Sequence, residues 1–122
     1  MARILVIDDS WLIRQSVTNY LKRAKYEVIL AESGNAGLDL CLKENPDLVL
    51  LDLLMPDLSG LDVLQKLRSQ GVKTPIIILT ADIQITTQEK CRASGASDFM
   101  LKPPNEEHLI YKITKFLQSE KV

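Results

Sequence analysis

Five strand–helix repeats built around a parallel β-sheet are encoded in this 122-residue chain. Three features say so. Short apolar, β-branched runs alternate with amphipathic segments from end to end. The connections are short, and right-handed crossovers then place helices on both faces of the sheet. The run Leu48–Leu51 is too continuously apolar for a half-exposed strand and reads as buried on both sides, as in a parallel sheet.

Each element follows in order. Ile4–Ile7 is the first strand. Ser10 then caps a helix that carries Ile13, Val17, Tyr20, Leu21 and Ala24 on one face. Glu27–Ala31 is the second strand, and "SGNAG" opens a helix that ends before Pro46. Leu48–Leu51 is the third strand. "MPDLSG" is turn chemistry, and Ser59 with Asp62 forms a capping box for the helix holding Leu61, Leu64 and Leu67. Gln70-Gly71 ends it. Pro75–Thr80 is the fourth strand. The segment Gln84–Ser94 is helical with a thin apolar face of Ile85, Cys91 and Ala93, and Ser97–Leu101 is the fifth strand. Asn105 caps a last helix whose first turn holds Glu106 and Glu107, where acids suit the helix dipole. Ile110, Ile113, Phe116 and Leu117 give it a buried stripe. No internal linker, repeat or low-complexity tract interrupts this pattern, so residues 1–122 read as one domain.

The bulk numbers narrow the function classes. A formal net charge of -1 offers no basic field for nucleic acid or an anionic membrane. Cys41 and Cys91 lack metal-ligand spacing and read as buried free thiols in a reducing cytosol. The amino end turns acidic too early for a signal peptide. No apolar stretch approaches the roughly 20 residues needed to span a bilayer. The expectation is a soluble, cytoplasmic protein.

The chemistry lies just past the strands. In an open parallel sheet, ligands bind beyond the carboxyl ends of the strands. Those positions hold Asp8 and Asp9, Asp52, Thr80 and Lys102. Each has an ordinary reading by itself: a solvated turn acid, a strand-ending β-branched residue, a surface lysine. Together they make a site if their strands are neighbours. Clustered carboxylates repel, and one would protonate if left alone. A divalent cation and the lysine restore the charge balance, and hard oxygen donors suit Mg2+, with Mn2+ an alternative. An aspartate held beside such an ion and an ammonium can attack phosphorus and become an acyl phosphate.

These motifs, "ILVIDDS", "LVLLDLLMPDLSG", "PIIILTA" and "GASDFMLKP", span essentially the whole chain. They resemble the receiver domain of two-component response regulators, above all the stand-alone, chemotaxis-type single-domain members. The resemblance implies a flavodoxin-like (βα)5 fold with strand order 2-1-3-4-5. It implies that Asp52 is the phosphoacceptor and that Asp8 and Asp9 are the acidic pair. Asp9 then ligates the metal directly, Asp8 acts partly through water, and Leu54 offers its backbone carbonyl. Thr80 matches the switch hydroxyl, Phe99 the rotating aromatic, Lys102 the phosphate-pairing lysine and Lys102-Pro103 a cis peptide. The phosphoryl donor would be a histidine kinase or phosphotransfer protein. The output would be a protein target on the surface of the fourth helix, fifth strand and last helix, with neither nucleic acid nor membrane as partner. Such a domain catalyses only its own phosphorylation and dephosphorylation.

Departures from the family pattern are informative. Phe99 stands where many members carry Tyr and has no hydroxyl to offer. Pro104 stiffens the approach to the last helix. Leu54 and Asp82 fill the two variable positions that flank the site, and an apolar Leu54 orients no attacking water. Trp11 reads as partly packed and His108 as solvated. A phosphoaspartyl hydrolase needs a second acid two residues past its nucleophile, where this chain has Leu54. A flavodoxin- or nucleotide-type module needs a phosphate-cradling loop after the first strand, where this chain has Asp8 and Asp9. A degenerate receiver used only for docking would not need the complete set of acids, hydroxyl and lysine. The chain ends with its last helix, so the expected output is a binding partner.

Overall fold

The computed structural model describes residues 1–81 and 84–120. The element order is β1 (Arg3–Ile7), α1 (Trp11–Arg23), β2 (Glu27–Ala31), α2 (Gly34–Glu44), β3 (Leu48–Asp52), α3 (Gly60–Ser69), β4 (Ile76–Thr80), α4 (Ile85–Ala93), β5 (Asp98–Leu101) and α5 (Glu106–Glu120). The five strands form one parallel sheet in the order β2-β1-β3-β4-β5. This is the flavodoxin-like architecture expected from the resemblance.

Alternation along the strands sorts the core into two layers. Leu5, Ile7, Val49, Leu51, Ile76 and Ile78 point to one face, where α2, α3 and α4 cover them with Cys41, Leu64, Leu67 and Cys91. Ile4, Val6, Leu48, Leu50, Ile77 and Leu79 point to the other, under Val17 and Leu21 of α1 and Leu109, Ile113 and Leu117 of α5. Every residue of β3 and β4 is buried, as a central strand with helices on both sides requires. Burying one such side chain contributes about 1.5–3 kcal/mol before entropy is counted.

The expected caps are present. Ser10, Ser59 and Asn105 side chains accept the backbone N–H groups of Ile13, Asp62 and His108. Ser33 caps α2 by accepting from Ala36. The element ends differ by a residue where a polar or proline neighbour breaks the apolar pattern. Arg3 joins β1 because it lies in register with Glu27. Pro75 still accepts from Val49 at 2.9 Å, but it has no N–H to extend the ladder and β4 starts at Ile76. Ser97 donates to Ile76 at 2.8 Å while lying outside β5.

The last helix buries Leu109, Ile113 and Leu117, with Ile110 and Phe116 at its margin. α4 is as thinly anchored as its composition suggests. Ile85 is 72% exposed and Ala93 is exposed, while Cys91 packs into the core. Among the described residues no helix is long and apolar enough to cross a membrane. Asp82 lies outside the described residues.

Candidate functional site

Parallel register aligns the carboxyl ends of the strands. Ile7 is level with Leu51, Asp52 with Leu79, and Thr80 with Leu101. Asp8, Asp9, Asp52, Thr80 and Lys102 thus leave the sheet at one rim. Asp8 is held there by its own N–H, which donates to Ala31 at 3.0 Å and extends the β1–β2 ladder. Asp8, Asp52 and Thr80 are buried, at 1%, 5% and 1% exposure, and Asp9 is exposed.

Lys102 binds the cluster together. Its Nζ lies 2.6 Å from Asp8 Oδ2 and 3.0 Å from Asp52 Oδ1. Asp8 Oδ1 accepts the Ser10 N–H at 2.9 Å, and Asp52 Oδ1 accepts the Leu54 N–H at 3.4 Å, a long bond. Asp8 Oδ2 accepts from the Lys102 ammonium at 2.6 Å, a short charge-assisted contact. Burial pushes the Asp52 carboxyl above its ordinary range, and the Asp8 charge adds to it, while Lys102 and the Leu54 N–H pull the other way. Burial works against the Lys102 ammonium too, yet Asp8 and Asp52 outweigh it and raise the group above its usual value.

Asp8, Asp9 and Asp52 each offer an oxygen within 4.8 Å of the others. Three carboxylates against one ammonium leave a deficit of two positive charges, the charge of a hard divalent ion. The buried Asp8 and Asp52 carboxylates, with the exposed Asp9 beside them, fit that role. The donor set matches Mg2+, which binds through one or two carboxylates and keeps several waters.

Thr80 and Phe99 stand on adjacent strands and on the same face of the sheet, since Ile78 is level with Phe99 and Thr80 with Leu101. Phe99 is half-buried against the core under α2, α3 and α4, outside the acid cluster. The Lys102-Pro103 peptide is cis. Leu54 keeps its backbone at Asp52, but its side chain is 74% exposed. Trp11, at the head of α1, is 65% exposed, with the smaller part of its surface covered. His108 is exposed, as expected.

Sequence reasoning misses three contributors. Arg14 donates to the Asp8 carbonyl at 2.8 Å, while its charge is met by Glu32 at 3.8 Å. Asp57 accepts the N–H groups of Gly34 at 3.0 Å and Asn35 at 2.9 Å, tying the loop after β3 to the head of α2. Gly60 lies so close to Asp52 that a side-chain carbon there would overlap the Asp52 carbonyl oxygen. Its N–H donates to Leu53 at 2.8 Å. Only the glycine hints at itself, through the turn composition around it.

Comparisons with known proteins agree with this geometry. The response regulator receiver domain family matches residues 4–114. The cell cycle transcriptional regulator CtrA of Caulobacter vibrioides is 38% identical over 119 residues, covering 98% of this chain and 52% of that protein. Response regulator MprA of Mycolicibacterium vanbaalenii is 39% identical over 116 residues, covering 95% of this chain and 50% of that one. The chain spans about half the length of the curated relatives it matches. Among solved structures, the receiver domain of the Francisella response regulator 1452 superposes with a TM-score of 0.94 at 28% identity, covering 98% of this chain and 99% of that one. Vibrio cholerae chemotaxis protein CheY4 does so with a TM-score of 0.90 at 34% identity, covering 95% and 98%.

Proposed function

Because this chain belongs to the response regulator receiver domain family, whose members signal by phosphorylation, we propose that Asp52 is its phosphoacceptor and that residues 1–122 form one phosphorylation switch. The observation that carries the proposal is the Lys102 ammonium between two buried carboxylates, at 2.6 and 3.0 Å. A purely structural ion pair needs one acid. Two acids around one lysine, with Asp9 beside them, form a site set up for further charge.

The donor is a phosphohistidine on a histidine kinase or phosphotransfer protein. An Asp52 oxygen forms a bond to phosphorus as the donor's phosphorus–nitrogen bond breaks, and the leaving imidazole takes a proton from solvent. Asp8, Asp9, Asp52 and the Leu54 backbone carbonyl would hold Mg2+, or Mn2+ in its place, which supplies positive charge to the transferring oxygens. Lys102 exchanges its contact with Asp52 for one with the phosphoryl group. The Thr80 hydroxyl donates to a phosphoryl oxygen, moving toward Asp52, and Phe99 turns into the space released on the same face. Beyond its own phosphorylation and dephosphorylation the domain turns over no substrate.

The altered surface is that of α4, β5 and α5. Cys91 is the one fully buried residue of α4, which supports this, because segments with few apolar contacts rearrange at low cost. A cytoplasmic protein target reads this face. One curated relative is named a transcriptional regulator; for these residues the proposed output is protein contact.

Intact mass after incubation with acetyl phosphate and Mg2+ tests the assignment. One phosphoryl adduct is expected on the native chain and none on Asp52→Asn. An adduct on Asp52→Asn, or none on the native chain, overturns it.

A further inference from the structure

Between α3 and α4, beside the carboxyl end of β4, lies a cleft of about 260 Å³. Leu53, Leu61 and Cys91 form its apolar floor. It exists because α4 presents two small side chains, Thr87 and Cys91, one turn apart, toward Leu61 of α3. Leu54 borders the mouth but stands 74% exposed and leaves the recess open.

Protein interiors are close-packed, and atoms lining an unfilled recess forgo contacts that a ligand restores. The lining is mostly apolar, with Ser59, Thr80 and Thr87 as its hydroxyl residues, so water there has few polar partners. Lys90 stands at the rim. No carboxylate among the described residues pairs with it. An apolar floor with a cation at its edge complements an aromatic ring bearing a single negative charge. The volume falls just under the roughly 300–1,000 Å³ of drug-sized pockets, so the occupant is a one- or two-ring fragment.

We propose that this cleft binds a small aromatic carboxylate, its ring on Leu53, Leu61 and Cys91 and its carboxylate against Lys90. Thr80 is part of the wall. Occupancy therefore touches the residue assigned above to sense the phosphoryl group. That consequence rests on the switch reading, and by linkage ligand and phosphoryl group then bias one another reciprocally. Binding itself does not depend on it.

The test is a titration of the whole chain, native and Asp52→Asn, with 2-naphthoate and with neutral 2-naphthamide, followed by ¹H–¹⁵N correlation spectra. Saturable shifts centred on Leu61, Thr87, Lys90 and Cys91 are expected in both proteins. The amide should bind at least fivefold more weakly, as should 2-naphthoate to Lys90→Met. Thr87→Leu fills the cleft from the helix surface and should abolish the shifts, with its own spectrum reporting that it is folded. Absence of saturable shifts overturns the proposal. So do equal affinities for acid and amide, shifts centred elsewhere, or binding that survives in folded Thr87→Leu. Acetyl phosphate treatment of the same samples separates the two readings. A chain that gains the phosphoryl adduct but does not bind 2-naphthoate sinks the cleft alone, and the converse result sinks the switch alone.

Discussion

The backbone N–H of Lys102 donates to the carbonyl of Thr80 at 2.8 Å. The lysine that spans Asp8 and Asp52 and the buried threonine at the end of β4 are thus joined through the main chain. A displacement of either is transmitted to the other without a side-chain intermediary. β5 also carries Phe99, so the rim at Thr80 and Lys102 has a short covalent and hydrogen-bonded connection to that residue.

Lys102→Met removes the cation shared by two buried carboxylates. Leaving buried charge uncompensated costs about 3 kcal/mol or more. Urea unfolding at neutral pH should show that loss. Adding Asp8→Asn removes one of the stranded charges, so the double variant should recover part of it. A double variant no more stable than Lys102→Met would show that the lysine acts through its packed stem instead.

Mg2+ should stabilise the chain through the acid cluster. A ligand that binds only the folded state contributes about 2.7 kcal/mol at a hundredfold excess over its dissociation constant. Asp9 is exposed, so Asp9→Ala should leave stability without metal nearly unchanged and cut the Mg2+-dependent gain. Thermal unfolding across a Mg2+ series checks both halves. An undiminished gain in Asp9→Ala would place the ion elsewhere.

Arg68 fastens the carboxyl end of α4. Its Nε donates to the Gly95 carbonyl at 3.0 Å, and one terminal nitrogen donates to Val72 and Thr74, each at 2.8 Å. The turn after α3 and the turn after α4 are therefore pinned by one guanidinium, and Gln65 adds a bond to Ser94 at 3.2 Å. Arg68→Ala should cost about 2 kcal/mol, from lost charge-assisted bonds to carbonyls that stay partly buried. Lys at position 68 should not restore it, because an ammonium lacks the planar fork. Faster amide exchange at Ala96 and Ser97 would mark the released turn; unchanged exchange there would refute the fastening role.

Much of this was legible before any coordinates. Asp8, Asp52, Thr80 and Lys102 could be placed because a parallel sheet sends every residue after a strand to the same rim. The strand order itself came from family resemblance, since periodicity does not say which strands are neighbours. Trp11 reads from the sequence as partly packed; its position at the head of α1 leaves most of it in solvent, which composition alone does not reveal. Arg14, Asp57 and Arg68 were illegible for a shared reason: each acts on the backbone of a loop or strand end, and such bonds leave no pattern in side-chain chemistry.

Asp57 yields a pH-dependent prediction away from the acid cluster. Its carboxylate accepts the N–H groups of Asn35 and Gly34 at the positive end of α2. These bonds hold its carboxyl below the ordinary range, with Asn35 the larger cause and Gly34 next. A carboxyl depressed by folding adds stability that is fully present above its unfolded value of about 3.9 and disappears as pH falls through the lower folded value. The gap in unfolding free energy between the native chain and Asp57→Ala should therefore hold steady from neutral pH down to about pH 5 and close below that. The same substitution frees the loop that carries Leu54 from α2, so phosphoryl uptake at Asp52 should slow even at pH 7, where stability is ample. Urea titrations at a series of pH values and the rate of acetyl phosphate labelling measure the two effects separately. A gap that persists unchanged to pH 3 would mean that Asp57 holds the loop by shape and not by charge.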